Sequence, residues 1–272
     1  MAEQAIGPLL LVGCGKMGGA MLEGWRARGL TAAGCAIVEP SPDPRYSGLA
    51  DISLHDGPDG LAADFRPGVV VLAVKPQSMD GVLPAYRRFA GPGTVFLSIA
   101  AGKTIAYFER ALGPAAIVRA MPNTPAAVGE GMTVAVPSAR VSAAQRQACD
   151  ALLAAVGDVA WVEDEGLIDA VTAVSGGGPA YVFLLIECLA EAGREAGLPA
   201  DLAMRLARTT VAGSGALVRR SSEPAATLRR NVTSPNGTTQ EALAVLMADD
   251  GLQPLMTRAI AAATRRSREL AG

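Results

Sequence analysis

From residue 104 onward the chain contains neither lysine nor histidine. Its one histidine is His55, and its lysines, Lys16, Lys75 and Lys103, all lie before that point. Chemistry contributed by the later part must therefore use carboxylates, hydroxyls, arginine, thiols or backbone groups. Aromatic residues are scarce too, at 4%. No sign of charge dominates: 24 Lys and Arg against 26 Asp and Glu leave a formal net charge of -2. That balance argues against nucleic acid or an acidic membrane held by a basic surface. The four cysteines, Cys14, Cys35, Cys149 and Cys188, show no C-x-x-C spacing and no neighbouring histidine. Neither a metal site nor a disulfide framework is expected, and a reducing cytoplasm is the natural compartment. No basic segment followed by an apolar core opens the sequence, so no secretory signal is expected. One uncharged run, 170–186, approaches membrane-span length, but Gly176-Gly177-Gly178-Pro179 interrupts it. It reads as the junction of two soluble helices, with no membrane partner.

What is present is apolar and rich in small residues, with 50% hydrophobic residues and 31 glycines. The 272 residues suffice for one large or two smaller domains with real cores. Strand-like runs occur at 9–12, 35–38, 69–74, 95–99, 116–119, 133–136 and 159–162. Between most of them lie helix-length segments, at 17–28, 84–90, 105–112 and 143–156. The run Val69-Val-Val-Leu-Ala-Val is continuously apolar, as in a parallel strand covered on both faces, so a parallel sheet between helices is expected. Beyond Asp164 only helical patterns remain, at 180–196, 202–218, 224–231, 239–247 and 252–270, the second with Asp201 at its start. A boundary at 164–166 follows, separating residues 1–164 from an all-helical domain over 165–272. The stretch Tyr181-Val-Phe-Leu-Leu-Ile-Glu-Cys-Leu-Ala is hydrophobic on nearly every side and needs burial all round. An obligate homodimer, or a larger homo-oligomer built from it, would provide that burial; packing between the two domains of one chain is the alternative.

Gly13-Cys14-Gly15-Lys16-Met17-Gly18 follows the first strand and opens the first helix. In that setting Gly13 permits a tight turn, Gly15 lets a pyrophosphate approach the backbone, and Gly18 lets the helix pack on the strand. The helix N-terminus offers N–H groups and a favourable dipole to phosphate. The fold class expected is α/β: an N-terminal Rossmann-like doubly wound sheet with an all-helical C-terminal dimerisation domain. Glu39 ends the second strand, about 20 residues past the glycines, where a carboxylate bonds a ribose 2′-hydroxyl and repels a 2′-phosphate. It leans toward NADH over NADPH; the other readings are a solvated loop carboxylate, or an Arg45 that still accepts the phosphate. Ala73-Val74-Lys75-Pro76 and Ala100-Ala101-Gly102-Lys103 follow the next two strands at the ligand-bearing edge of such a sheet. His55 reads as a solvated loop histidine.

Further strings are more specific: Ser98-Ile-Ala-Ala-Gly, Arg119-Ala-Met-Pro-Asn-Thr-Pro, Ala173-Val-Ser-Gly-Gly-Gly-Pro-Ala-Tyr-Val and Val232-Thr-Ser-Pro-Asn-Gly-Thr-Thr. With these the chain resembles, from end to end, the pyrroline-5-carboxylate reductases. The resemblance implies reduction of the cyclic imine 1-pyrroline-5-carboxylate to L-proline by NADPH or NADH, with that imine as the small-molecule partner. An imine acquires a proton from water near neutral pH, so the protein needs to supply orientation more than a strong acid. By the family's pattern Thr239 bonds the substrate nitrogen, while Ser234, Gly237 and Thr238 line its carboxylate. A plain helix cap would need only a single hydroxyl. Ser175, Gly176 and Gly178 are expected to contact the substrate, the alternative being a close-packed helix junction. Asn123 and Thr124 are candidates for the nicotinamide ribose and carboxamide, or else turn residues between Pro122 and Pro125.

Two departures from the family stand near the site. Gly177 occupies a position where the family often has serine, and Arg230 one where it has aspartate. The stretch 45–60 does not align readily with the family. The strongest rival, a β-hydroxyacid dehydrogenase, uses a lysine from its helical domain, and the chain has none beyond Lys103. A dinucleotide-binding regulator without chemistry would have no need of the 232–239 string.

Overall fold

The computed structural model of the chain describes residues 6–271. Its contacts divide the chain into two compact units, one running to Gly176 and taking in the end of the chain from Thr264, the other spanning Gly177–Ala263.

In the first unit, eight strands form one sheet: β1 (Leu9–Val12), β2 (Cys35–Val38), β3 (Ile52–His55), β4 (Val69–Leu72), β5 (Val95–Ser98), β6 (Ala116–Met121), β7 (Gly131–Pro137) and β8 (Gly157–Trp161). Their order is β3-β2-β1-β4-β5-β6-β7-β8. The helices are α1 (Lys16–Ala27), the short α2 (Met79–Val82), α3 (Ile105–Leu112), α4 (Ala143–Ala154) and the short α5 (Ile168–Val171). Successive strand residues point to opposite faces, and both faces are covered. Leu9 and Leu11 pack with Met21, Trp25 and Leu152, whereas Leu10 and Val12 pack with Val70, Phe96 and Phe108. Each fully buried side chain of this kind contributes about 1.5–3 kcal/mol relative to exposure. The Trp25 indole donates to the Leu152 carbonyl at 2.8 Å, tying α1 to α4 on one face.

Several expectations need correction. The sheet is not wholly parallel: β7 runs antiparallel to β6. The connection between them holds only a 3-10 turn, Thr124–Val128, and no crossover helix, and a parallel return needs a crossover of a dozen residues or more. His55 is not in a loop but ends β3, an edge strand, where its Nε2 lies 3.1 Å from the Ser53 hydroxyl. The 84–90 segment is a 3-10 helix, Leu83–Phe89, rather than an α-helix. The domain boundary expected at 164–166 is not among these corrections: the strands end before it, while the contact division falls after Gly176, Ile168 and Ala173 being buried and Ile168 packing on Val134 and Val136.

The second unit comprises α6 (Gly178–Glu195), α7 (Ala200–Arg220), α8 (Ala225–Asn231), α9 (Thr238–Leu246) and the first part of α10 (Leu252–Ala271). α7 is capped by Pro199, and Asp201 falls inside its first turn. Gly193 lets α7 approach α6, since a Cβ there would meet Ala203 at 3.3 Å. Within the unit Ala190, Ala203 and Ala207 are buried, while Val182, Phe183, Leu184, Leu185, Leu189, Leu202 and Leu206 remain exposed. The segment Glu165–Glu195 is long and apolar enough to cross a membrane by length and composition. It is not one regular helix: Thr172–Gly176 forms a π turn before α6 begins.

Candidate active site

The glycines after β1 have distinct structural reasons. Gly13 has φ +88°, and a Cβ on it would lie 2.9 Å from the Ala73 carbonyl group and from Val74 Cγ1. A side chain on Gly18 would press on the Gly13 carbonyl oxygen and lie 3.2 Å from Ala73 Cβ. Gly15, the N-cap of α1, faces open space; no side chain caps the helix and its first turn carries no acid. The first N–H groups of a helix have no partner within it, so this end is an open cradle for a phosphate. A dinucleotide therefore fits the residues present. Gly18→Ala is expected to force a shift of α1 costing about 1–3 kcal/mol. Dinucleotide titration and thermal melting should show weaker binding and a lower Tm; unchanged affinity would contradict the packing role.

Strands β2, β1, β4, β5 and β6 are consecutive and parallel, so their exits share one edge of the sheet. From β2, Glu39 accepts the Cys14 N–H at 2.8 Å. Burial, followed by the nearby Glu39 charge, pushes the Cys14 thiol up to about 11, which keeps it protonated and unreactive. After β4, Ala73, Val74 and Pro76 are half-buried and Lys75 is exposed. After β5, Ala100 is buried in the core, leaving Ala101 exposed beside it. Gly102 has φ +73°, and a Cβ there would lie 3.1 Å from the Leu270 carbonyl oxygen, so the last turn of α10 packs on this loop. Lys103 sits over the Tyr107 ring at 4.1 Å and 3.8 Å from Asp80. Lys16 and Met17 form the first turn of α1, exposed and half-buried respectively.

After β6, Asn123 bonds Ser175, in the π turn, and Met132, at the start of β7. Gly176 lies against Met121, where a Cβ would come 2.6 Å from the methyl carbon. Sequence reasoning missed Glu165. It accepts from the Ile105 N–H at 2.8 Å and from the buried Arg119 at 2.8 Å, joining β6 to the N-terminus of α3. An arginine inside the apolar run Ala116–Met121 was the signal, since a buried cation requires a partner.

Gly178, Ser234, Gly237, Thr238 and Thr239 belong to the second unit. There the cap of α9 is Gly237, not a threonine, and no side chain caps the helix. A Cβ on Gly237 would strike the Ser234 hydroxyl and lie 3.1 Å from the Ser234 carbonyl oxygen. Asn236 adopts φ 57°, and its N–H is taken by the Gln240 side chain at 2.8 Å. Thr238 is exposed and Thr239 half-buried at the helix start. Like the start of α1, this end offers N–H groups to an anion.

Residues 165–270 match the family model described as pyrroline-5-carboxylate reductase dimerisation, and residues 9–102 that of NADP oxidoreductase, coenzyme F420-dependent. The chain is 40% identical over 264 residues to the pyrroline-5-carboxylate reductase of Pseudomonas aeruginosa, covering 97% of this chain and 96% of that one. Among solved structures, that of a pyrroline-5-carboxylate reductase from Coxiella burnetii superposes with TM-score 0.90 at 32% identity, covering 98% of this chain and 99% of that one. The Plasmodium falciparum pyrroline carboxylate reductase, solved with NADP bound, gives 0.81 at 28% identity over 98% and 99%.

Proposed function

The chain belongs to the pyrroline-5-carboxylate reductase family, and from that premise we infer that it reduces 1-pyrroline-5-carboxylate to L-proline with NADPH or NADH, the last step of proline biosynthesis. The observation that carries the reading is the pair of uncapped, glycine-started helices, α1 and α9, in a chain without lysine or histidine beyond residue 103. Gly13, Gly15 and Gly18 with the first turn of α1 hold the pyrophosphate, and Ala73–Pro76, Ala101 and Gly102 line the path of the dinucleotide, while Ala100 belongs to the core beneath them. The reduced nicotinamide supplies the hydride. It adds to the imine carbon, C5 of the protonated ring, and the C=N electron pair moves onto nitrogen to give the amine. No protein acid is consumed in that step, which fits the missing lysine and histidine.

Thr239 accepts a hydrogen bond from the iminium N–H. Ser234, Gly237 and Thr238, with the first N–H groups of α9, hold the substrate carboxylate, and Ser175, Gly176 and Gly178 flank the ring. A dehydrogenase reading that requires a lysine from the helical domain has none there to carry it. The exposed apolar residues of α6 and α7 support a homodimer as the smallest unit, with α6 facing a partner subunit rather than a bilayer. The free thiols Cys14, Cys35, Cys149 and Cys188 support a cytoplasmic location. The reading is tested by absorbance of the reduced cofactor with pyrroline-5-carboxylate added. Substrate-dependent oxidation is expected; none, with folding and cofactor binding verified, would overturn it.

Glu39 is the selector between the two cofactors. Glu39 accepts the Cys14 N–H, and a carboxylate at the end of the second strand of such a fold favours a ribose 2′-hydroxyl and repels a 2′-phosphate. Arg45, the nearby cation, is 3.1 Å from Asp43 and lies over the Tyr46 ring at 4.7 Å. Glu39→Ala is expected to raise kcat/KM for NADPH relative to NADH about tenfold, equivalent to about 1.4 kcal/mol. An unchanged ratio would remove Glu39 from this role.

A further inference from the structure

The second residue of α6 is Pro179, and that proline withdraws a donor from the turn before it. In an α-helix the Ser175 carbonyl would accept from residue 179, but Pro179 has no N–H. The Ala180 N–H bonds instead to Gly177 at 3.0 Å. Asn123 supplies a donor to Ser175: its Nδ2 lies 3.3 Å from the Ser175 carbonyl oxygen and 3.2 Å from the Ser175 hydroxyl. Its Oδ1 accepts the Met132 N–H at 2.8 Å. β6 and β7 pair through Met121 and Val134, and continuing that register sets Asn123 opposite Met132. The side chain thus takes a ladder hydrogen bond beyond the last strand pair. The Asn123 amide nitrogen donates to Ser175, and the side chain does not cap the 3-10 helix that follows it. A hydroxyl that accepts from Asn123 keeps its own hydrogen to donate elsewhere. The Ser175 O–H is thereby set as a donor within a π turn, a feature that frequently marks functional sites.

We propose that Asn123 is a positioning residue rather than a cofactor ligand: by supplying the donor that Pro179 lacks, it fixes Ser175 in the π turn and orients its hydroxyl toward the imine substrate. The catalytic consequence rests on the reductase reading above; the clamp itself does not. Two variants separate the contacts. Asn123→Ala removes both ends of the clamp, whereas Asn123→Asp keeps the acceptor for Met132 but loses the donors to Ser175.

In both variants NADPH affinity is expected to stay within about twofold of wild type, while kcat/KM for the imine falls about tenfold. Amide exchange over 172–178 should quicken, and Ser175→Ala should add little in the Asn123→Ala background. Loss of NADPH affinity with unchanged imine kinetics would overturn the proposal in favour of a cofactor ligand. Unchanged exchange over 172–178 would equally overturn it. Exchange is read without turnover, so a wild type that fails to reduce the imine would sink the reductase reading and leave the clamp to be judged by itself.

Discussion

Thr239→Ala lowers turnover about 10- to 100-fold while NADPH affinity stays within about twofold, the expected loss for one hydrogen bond to a charged group, about 1.5–3 kcal/mol. Thr239 is half-buried in the first turn of α9, a helix whose cap is Gly237. Its hydroxyl is therefore not consumed as a cap. Replacing threonine by alanine raises helix propensity, so a fall in rate is not explained by a weakened helix. Thr239→Ser, which keeps a hydroxyl, should retain most of the rate. Steady-state kinetics with fluorescence titration of NADPH separates the two effects. Equal rates for Thr239→Ala and wild type would remove Thr239 from the site.

Phe183→Asp is expected to convert the protein to monomers. On the single chain Phe183 is 58% exposed, among Leu184, Leu185 and Leu189, which are exposed as well. An aspartate placed there costs a free subunit little. Buried against a partner, an unpaired carboxylate costs several kcal/mol, enough to dissociate a complex held by an apolar face. Sedimentation should show the monomer mass with helical content preserved. A dimer of normal activity would contradict the assignment of this face. The apolar surface by itself does not separate a partner subunit from a bilayer, since Glu165–Glu195 passes a length-and-composition test for a membrane span; a soluble monomer of the variant separates them.

The parts of the fold legible in the sequence are those specified locally. Gly13, Gly15 and Gly18 could be read because strand, turn and helix follow one another within a few residues, and each glycine's role is set by its neighbours. The direction of β7 could not, because Thr133–Val136 reads the same either way and the connection decides it. β3 was missed because Ile52–His55 is a four-residue edge strand with only a short apolar alternation. The partner of Arg119 was signalled but not identified, since Glu165 is distant in sequence and joins it only in the folded sheet unit. Asn123 was similar: the missing N–H of Pro179 is visible in the sequence, but not which side chain replaces it. The expectation for Thr239 came from resemblance to a family, and the local geometry adds that a glycine, not a threonine, caps its helix.

The central claim is direct hydride transfer to the imine carbon, and isotope transfer tests it most closely. NADPH deuterated at the transferable C4 position is incubated with the protein and 1-pyrroline-5-carboxylate, and the proline formed is analysed by mass spectrometry. The account predicts one deuterium per proline, located at C5, in proportion to the NADPH oxidised. NADPH oxidation without labelled proline, or proline carrying no deuterium, would contradict it.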